Sequence, residues 1–190
     1  MTVDEQEACP CLRQTSPWVC RFAHLVPASG LIIDVACGRG RHSRYFLERG
    51  HPVIGVDRDI SGLAELRGRA GFEAVEVDLE GGKPWPFEGR QFAGIVVSNY
   101  LYRPLLPILV ASLAPTGALI NETFARGNER FARPRNPDHL LKAGELYEAV
   151  RGKLCVVAYE HGEVREPRSA VMQRIVAVNQ GGEAVAPKLA

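Results

Sequence analysis

Leu31-Ile-Ile-Asp-Val-Ala-Cys-Gly-Arg-Gly-Arg-His-Ser43 is an apolar run broken by one acid, then a Gly-x-Gly turn, then the start of a helix. Such a run suits a strand buried on both faces of a parallel sheet. Gly38 and Gly40 let the backbone turn sharply and approach a ligand where a Cβ would clash. The helix that follows points unpaired N–H groups and its positive dipole end at the same spot, which favours a carboxylate or phosphate. Asp34 stands inside this loop, where an anion-only site gains nothing from it. A ligand with both an ammonium and a carboxylate uses both ends.

Gly-x-Gly alone is a weak signal, because many strand-to-helix turns carry it with no ligand. The next strand ends add weight. Pro52-Val-Ile-Gly-Val56 reads as a second strand ending at Asp57, and Phe72-Glu-Ala-Val-Glu-Val77 as a third ending at Asp78-Leu79. Asp57 lies about where a ribose-binding acid stands in a nucleotide-binding βαβ unit. Single acids of this kind also cap helices or solvate loops; three successive strands ending in them point to one ligand edge.

With Asp34, Asp57, Asp78 and Val97-Ser-Asn-Tyr100 in place, the chain resembles the class I S-adenosylmethionine-dependent methyltransferases, nearest to small bacterial members of the tellurite-resistance-like group. The likeness runs from about Trp18 to Val178. It implies S-adenosylmethionine as cofactor and S-adenosylhomocysteine as product. Asp34 would meet the methionine ammonium, with Ala36, Gly38 and Gly40 shaping the loop around the methionine part. Asp57 would take both ribose hydroxyls, with Arg58 beside it, and Asp78 and the Leu79 backbone would read the adenine edge. Asn99 and Tyr100 would lie beside the sulfonium. One departure is Ala93, where this family often has an acid after the phenylalanine of Phe92-Ala-Gly-Ile-Val.

A chain of 190 residues is one domain's worth and can bury most of its core without disulfides. Its formal charge of +1 gives no sequence-wide pull toward nucleic acid. Asp4, Glu5 and Glu7 in the first residues argue against a signal peptide. The longest uncharged stretch, Pro104 to Asn121, is broken by Pro107, Pro115 and Gly117 and reads as helix, turn and buried strand rather than a membrane span. A cytoplasmic protein is expected. Five cysteines lack a disulfide-framework pattern. Cys9-Pro-Cys11 with Cys20 and His24 has too short a spacing and no second ligand pair for a structural zinc, so no metal site is expected.

The remaining elements follow from periodicity. Residues 1–15 read as a disordered leader, 16–180 as one domain and 181–190 as a tail. Ser16 would cap a leading helix with Pro17 in its first turn. Further helices are expected over Arg41 to Arg49, Ile60 to Arg69, Leu105 to Leu113 and Gly144 to Arg151. Strands are expected over Gly94 to Ser98, Ala118 to Thr123, Leu154 to Glu160 and Ala170 to Val178. The alternation predicts an α/β fold, a mostly parallel sheet with helices on both faces and an antiparallel edge. The resemblance implies a single Rossmann-like domain with seven strands in the order 3-2-1-4-5-7-6, strand 7 antiparallel.

Candidates for holding a methyl acceptor lie past the ends of strands four and five: Tyr102, Arg103, Glu122, Arg126, Arg135 and His139. The arginine-rich loop from Arg126 to His139 reads either as a lid that grips an anionic acceptor with guanidinium forks or as a solvated loop. The acceptor is expected to be a small molecule. Two other functions fit less of the sequence. A nicotinamide-dependent reductase would need Tyr-x-x-x-Lys, and Tyr147 is followed at that spacing by Arg151. A non-catalytic S-adenosylmethionine-binding or S-adenosylhomocysteine-binding protein would keep every motif and show no turnover.

Overall fold

A computed structural model describes residues 14–166 and 168–181. Helix α1 (Pro17–Phe22) leads into β1 (Ile32–Val35), α2 (Arg41–Leu47), β2 (Val53–Asp57), β3 (Phe72–Glu76), β4 (Phe92–Ser98), α3 (Leu105–Ala111), β5 (Leu113–Phe124), α4 (Glu145–Val150), β6 (Cys155–Val164) and β7 (Ala170–Val178). The seven strands form one sheet in the order β3-β2-β1-β4-β5-β7-β6. Strands β1 to β5 pair in parallel, and β7 runs antiparallel to both β5 and β6. The expected order and edge are those of the protein.

Residue alternation along the strands divides the core in two. Ile32, Val53, Val96 and Ile120 pack under Trp18, Val19, Phe22 and Phe46 of α1 and α2. Ile33, Val35, Ile95, Val97 and Leu119 face the other way, toward Leu105 and Leu109 of α3 and Leu146 and Val150 of α4. Successive strand side chains point to opposite faces, so both faces of the central strands are apolar and covered. Trp85 and Phe87, from the link between β3 and β4, close part of the second face.

The helix expected over Ile60 to Arg69 is absent. A single 3₁₀ turn spans Ser61–Leu63, and the bonds beyond it mostly reach back three residues, as Leu66 N–H to Leu63 O and Arg69 N–H to Leu66 O do. Two glycines account for this. Gly68 takes a positive φ of 80°, which ends a helix. Gly62 lies so close to the loop after β1 that an added Cβ would stand 2.9 Å from Arg39 Cγ. The segment is a brace for that loop. Strand β6 is longer than the sequence reading because antiparallel pairing with β7 carries it to Val164. Strand β5 starts earlier, where Leu113 pairs with Phe92 of β4, and ends one residue later, where Phe124 pairs with Met172 of β7.

The described chain begins inside the expected leader. Gln14 and Thr15 are held: Arg41 donates to Gln14 O at 3.1 Å, and the Thr15 hydroxyl donates to Arg41 O at 3.3 Å. Ser16 caps α1 by accepting the Trp18 N–H at 3.1 Å. Cys9 and Cys11 lie outside the described residues. Among the described residues no cluster of His, Cys, Asp and Glu is placed to hold a metal ion, and no helix is long and apolar enough to cross a membrane.

Candidate functional site

The carboxyl ends of β1, β2, β3 and β4 lie side by side, and the loop after β1 sits among them. Ala36, Gly38 and Gly40 all have positive φ, at 52°, 55° and 69°. The glycines differ in purpose. A Cβ at Gly40 would meet Leu66 and Leu63 side chains at 2.6 and 2.8 Å, so Gly40 is there for packing. A Cβ at Gly38 would meet nothing within 4 Å. That open space is where the backbone can take a ligand.

Asp34 lies beneath the loop and is buried. Its Oδ2 accepts the Ser43 N–H at 2.9 Å and the Ser43 hydroxyl at 2.7 Å, fixing the first turn of α2. Burial pushes its carboxyl up to about 6 despite those bonds. His42 stands beside it, Nδ1 3.9 Å from Asp34 Oδ1, and accepts the Ser16 N–H at Nε2. Burial, with Arg41 close by, lowers this imidazole to about 3, so it is neutral. Cys37 is buried, its thiol pushed up by desolvation and by Asp34 and Asp57. It is a packing residue.

Asp57, at the end of β2, accepts the Gly38 N–H at 2.8 Å through Oδ2 and the Asp59 N–H at 3.1 Å through Oδ1. Each oxygen keeps a free lone pair. Asp78 is exposed just past β3, with Oδ1 accepting the Glu80 N–H at 2.9 Å. The Val77 N–H donates to Asp57 O at 2.9 Å and holds the two acids on one edge. Leu79 is half-buried and Arg58 exposed. Asn99 is exposed with φ 57° at the end of β4, its N–H bonded to Glu122 O at 2.9 Å. Tyr100 is half-buried, and burial with the Glu80 carboxylate raises its phenol. All these expected cofactor residues therefore border one edge of the sheet, with Asp34 underneath.

Next to Asn99 a cavity of about 240 Å³ opens between residues 14–17, the end of β5 and the β6–β7 hairpin. Its lining includes Arg41, Glu122, Phe124, Arg168, Met172 and Arg174. A polar chain runs along its floor. Arg41 donates to Ser98 Oγ at 2.9 Å, Ser98 donates to Glu122 Oε1 at 3.0 Å, and Arg174 Nε stands 3.4 Å from Glu122 Oε2. Glu122 is 4% exposed. It is the one expected acceptor residue found on this wall.

Tyr102, Arg103, Arg126, Arg135 and His139 do not line that cavity. Arg103 is bonded to both oxygens of Glu145, at 2.6 and 3.1 Å, and to Asp138 O and Leu140 O, so it ties the long loop to α4. Arg126, Arg135 and His139 are exposed. The loop is clamped where it starts and ends: Arg126 N–H donates to Leu141 O and Leu141 N–H to Phe124 O, each at 3.0 Å. Inside it, buried Asn128 donates to Ala132 O and Pro134 O and accepts the Val171 N–H. Arg41, Ser98, Arg168 and Arg174 escaped the sequence reading. Arg41 left one trace, a cation in a helix's first turn, where the dipole disfavours it; Arg174 is found only through its cross-strand pairing with Glu122.

Residues 32–114 match the model of the methyltransferase domain family. The matched stretch runs from the first strand to the start of β5. The fold of the chain is similar to TehB of Haemophilus influenzae, at a TM-score of 0.66 and 16% identity over 83% of this chain and 60% of that one. It is also similar to the 1,6-didemethyltoxoflavin-N1-methyltransferase of Burkholderia thailandensis, crystallised with S-adenosylhomocysteine, at a TM-score of 0.61 and 20% identity over 85% and 76% of the two chains. In sequence it is 31% identical over 150 residues to the ribosomal RNA small subunit methyltransferase H of Gemmatimonas aurantiaca. That match covers 75% of this chain and 44% of the relative, so the chain spans less than half the relative's length.

Proposed function

We propose that the protein transfers a methyl group from S-adenosylmethionine to a small-molecule acceptor. The observation that carries this reading is the glycine loop after β1, open over Gly38 and bonded to Asp57, on the sheet edge where β3 leads to Asp78 and β4 to Asn99. The residues present fit the cofactor. Ala36, Gly38 and Gly40 would shape the loop around the methionine part, and the buried charge of Asp34 would favour its ammonium from below. Asp57 would accept the ribose hydroxyls on its remaining lone pairs, with Arg58 at the rim. Asp78 and the Leu79 backbone would read the adenine edge, and Asn99 and Tyr100 would flank the sulfonium.

When bound, the cofactor supplies an activated methyl: the acceptor's lone pair bonds to the methyl carbon while the carbon–sulfur pair leaves with the sulfur, giving a neutral thioether. The protein's own work is alignment and exclusion of water. An acceptor that carries a proton loses it to solvent or to a basic group at the cavity, whose carboxylates are Glu122 and Glu166. The small cavity and the formal charge of +1 support a small molecule over RNA, which draws on extended basic surface.

Thermal melts with S-adenosylhomocysteine test the reading. A ligand at a hundred times its dissociation constant adds about 2.7 kcal/mol, which for this length raises Tm by roughly 5–11 °C. No shift with S-adenosylhomocysteine, beside a clear one with NADH, overturns it.

A further inference from the structure

The cavity beside Asn99 has apolar walls from Pro17, Phe124, Val164, Ala170 and Met172 and carries charges from Arg41, Arg168, Arg174, Glu122 and Glu166. Most of these charges are engaged. Glu122 accepts the Ser98 hydroxyl on one oxygen and faces Arg174 with the other. Arg174 stands between Glu122 and Glu160, at 3.4 and 3.5 Å. Arg41 donates to Ser98 and to Gln14 O.

Arg168 differs. Its guanidinium lies 5.3 Å from the centroid of the Phe124 ring, and among the described residues it makes no ion pair, with Glu166 or any other acid. Its charge bears on Arg41, whose pKa is lowered first by burial and last by Arg168, against the opposing pull of Glu122 and Asp34. Two guanidinium groups thus share one small, partly apolar space. Like charges so placed repel, and the repulsion is relieved by an anion between them. A carboxylate on a planar apolar body satisfies both features: its ring packs on Phe124 and Met172, and its charge meets the arginines.

We propose that this cavity seats the methyl acceptor and that the acceptor carries a carboxylate or similar acid group on a small apolar body, held by Arg168. The proposal rests on the methyltransferase reading above. The opposite chemistry, a cationic amine drawn by Glu122, is disfavoured because both Glu122 oxygens already face donors.

Three probes of equal ring size and different charge separate these cases: benzoate, benzamide and benzylamine. Each is titrated by calorimetry into the full chain, with and without saturating S-adenosylhomocysteine. Benzoate is expected to bind about tenfold more tightly than benzamide, with benzylamine weakest, since a charge-assisted pair exceeds a neutral hydrogen bond. In Arg168→Met the preference for benzoate should collapse to within about twofold, and Arg168→Lys should keep part of it. S-adenosylhomocysteine affinity should be the same in all three proteins. Tightest binding of benzylamine, equal or absent binding of all three, or a preference that survives Arg168→Met overturns the proposal. Failure of S-adenosylhomocysteine itself to bind overturns the methyltransferase reading instead, and the titrations without it still report the charge preference of the cavity.

Discussion

The amide of Gly38 donates to Asp57 Oδ2 at 2.8 Å across 19 positions of sequence. The acid at the end of β2 thus holds the glycine loop in place before any ribose arrives. Replacing Asp57 by Ala removes acceptors for both Gly38 and Asp59. It should lower the stability of the unliganded protein by about 1 kcal/mol, because these partners can turn to water. Affinity for S-adenosylhomocysteine should fall by roughly 2–3 kcal/mol, as charge-assisted bonds to the ribose and the order of the loop are both lost. Urea unfolding and calorimetry measure the two effects. Unaltered affinity in a folded variant would show that the ribose is not bound here.

Asp34 and His42 give opposing pH dependences that hide each other. Asp34 keeps its proton in the fold up to about 6, against a usual 3.8; unfolded chains bind fewer protons in that window, so its contribution falls as pH rises from 4 to 6. His42 stays neutral down to about 3, against a usual 6.5; unfolded chains bind more protons there, so its contribution rises over the same window. Each slope approaches about 1.4 kcal/mol per pH unit. Compared with the parent protein, Asp34→Asn should gain roughly 2–3 kcal/mol in stability from pH 4 to pH 6, and His42→Gln should lose as much. Denaturant melts at the two pH values read this directly. Parallel pH curves for all three proteins would mean that neither group is buried as described.

What was legible in the sequence is what local composition controls. The apolar strands, the acids that end them and the Ser16 cap stand as expected because burial on both faces leaves few alternatives. The missing helix after β2 was hidden by the good helix formers Ala64, Glu65 and Leu66, which lost to Gly62, Gly68 and the close approach to Arg39. The arginine-rich loop stands out by composition, yet its Arg130 pairs with Glu163 at 2.6 Å, and none of its arginines lines the cavity. The cavity joins residues 14–17, Asn99, Glu122 and alternate residues from Val164 to Arg174, which meet through the antiparallel register of β5 with β7 and the bonds of Arg41 to Gln14 and Ser98. Register is a tertiary fact, and no short window of sequence carries it.

Ala36 offers a test of strain in the loop. It holds φ at 52°, a left-handed conformation that costs an L-residue with a Cβ about 1–2 kcal/mol. Glycine pays no such penalty in the fold but is freer when unfolded. Ala36→Gly should therefore stabilise the unliganded protein by up to about 1 kcal/mol. Cofactor affinity should change little, since the backbone already has the conformation glycine prefers. A loss of stability in thermal melts would show that the Ala36 methyl contributes packing that outweighs its strain.

The chain from Arg41 through Ser98 and Glu122 to Arg174 is the last test, because it asks whether the cavity floor acts as one unit. Glu122 is buried and paired across the strands with Arg174. Removing the acid alone leaves Arg174 with Glu160 as its remaining acid and Ser98 short of its acceptor. Glu122→Met should cost roughly 2–3 kcal/mol, from the buried donors of Ser98 and Arg174 that lose a charged acceptor. Arg174→Met should cost less, since its side chain is 20% exposed and Glu122 keeps Ser98. Replacing both also removes the Arg174 donor left short between β5 and β7, so the double variant should lose at least about 1 kcal/mol less than the sum of the singles. Full recovery is not expected, because Arg41 and Ser98 still lack Glu122. Urea unfolding of the four proteins gives the coupling. Additivity within about 0.5 kcal/mol would mean that Glu122 and Arg174 are neighbours without a shared role, and the floor would then be a set of separate contacts.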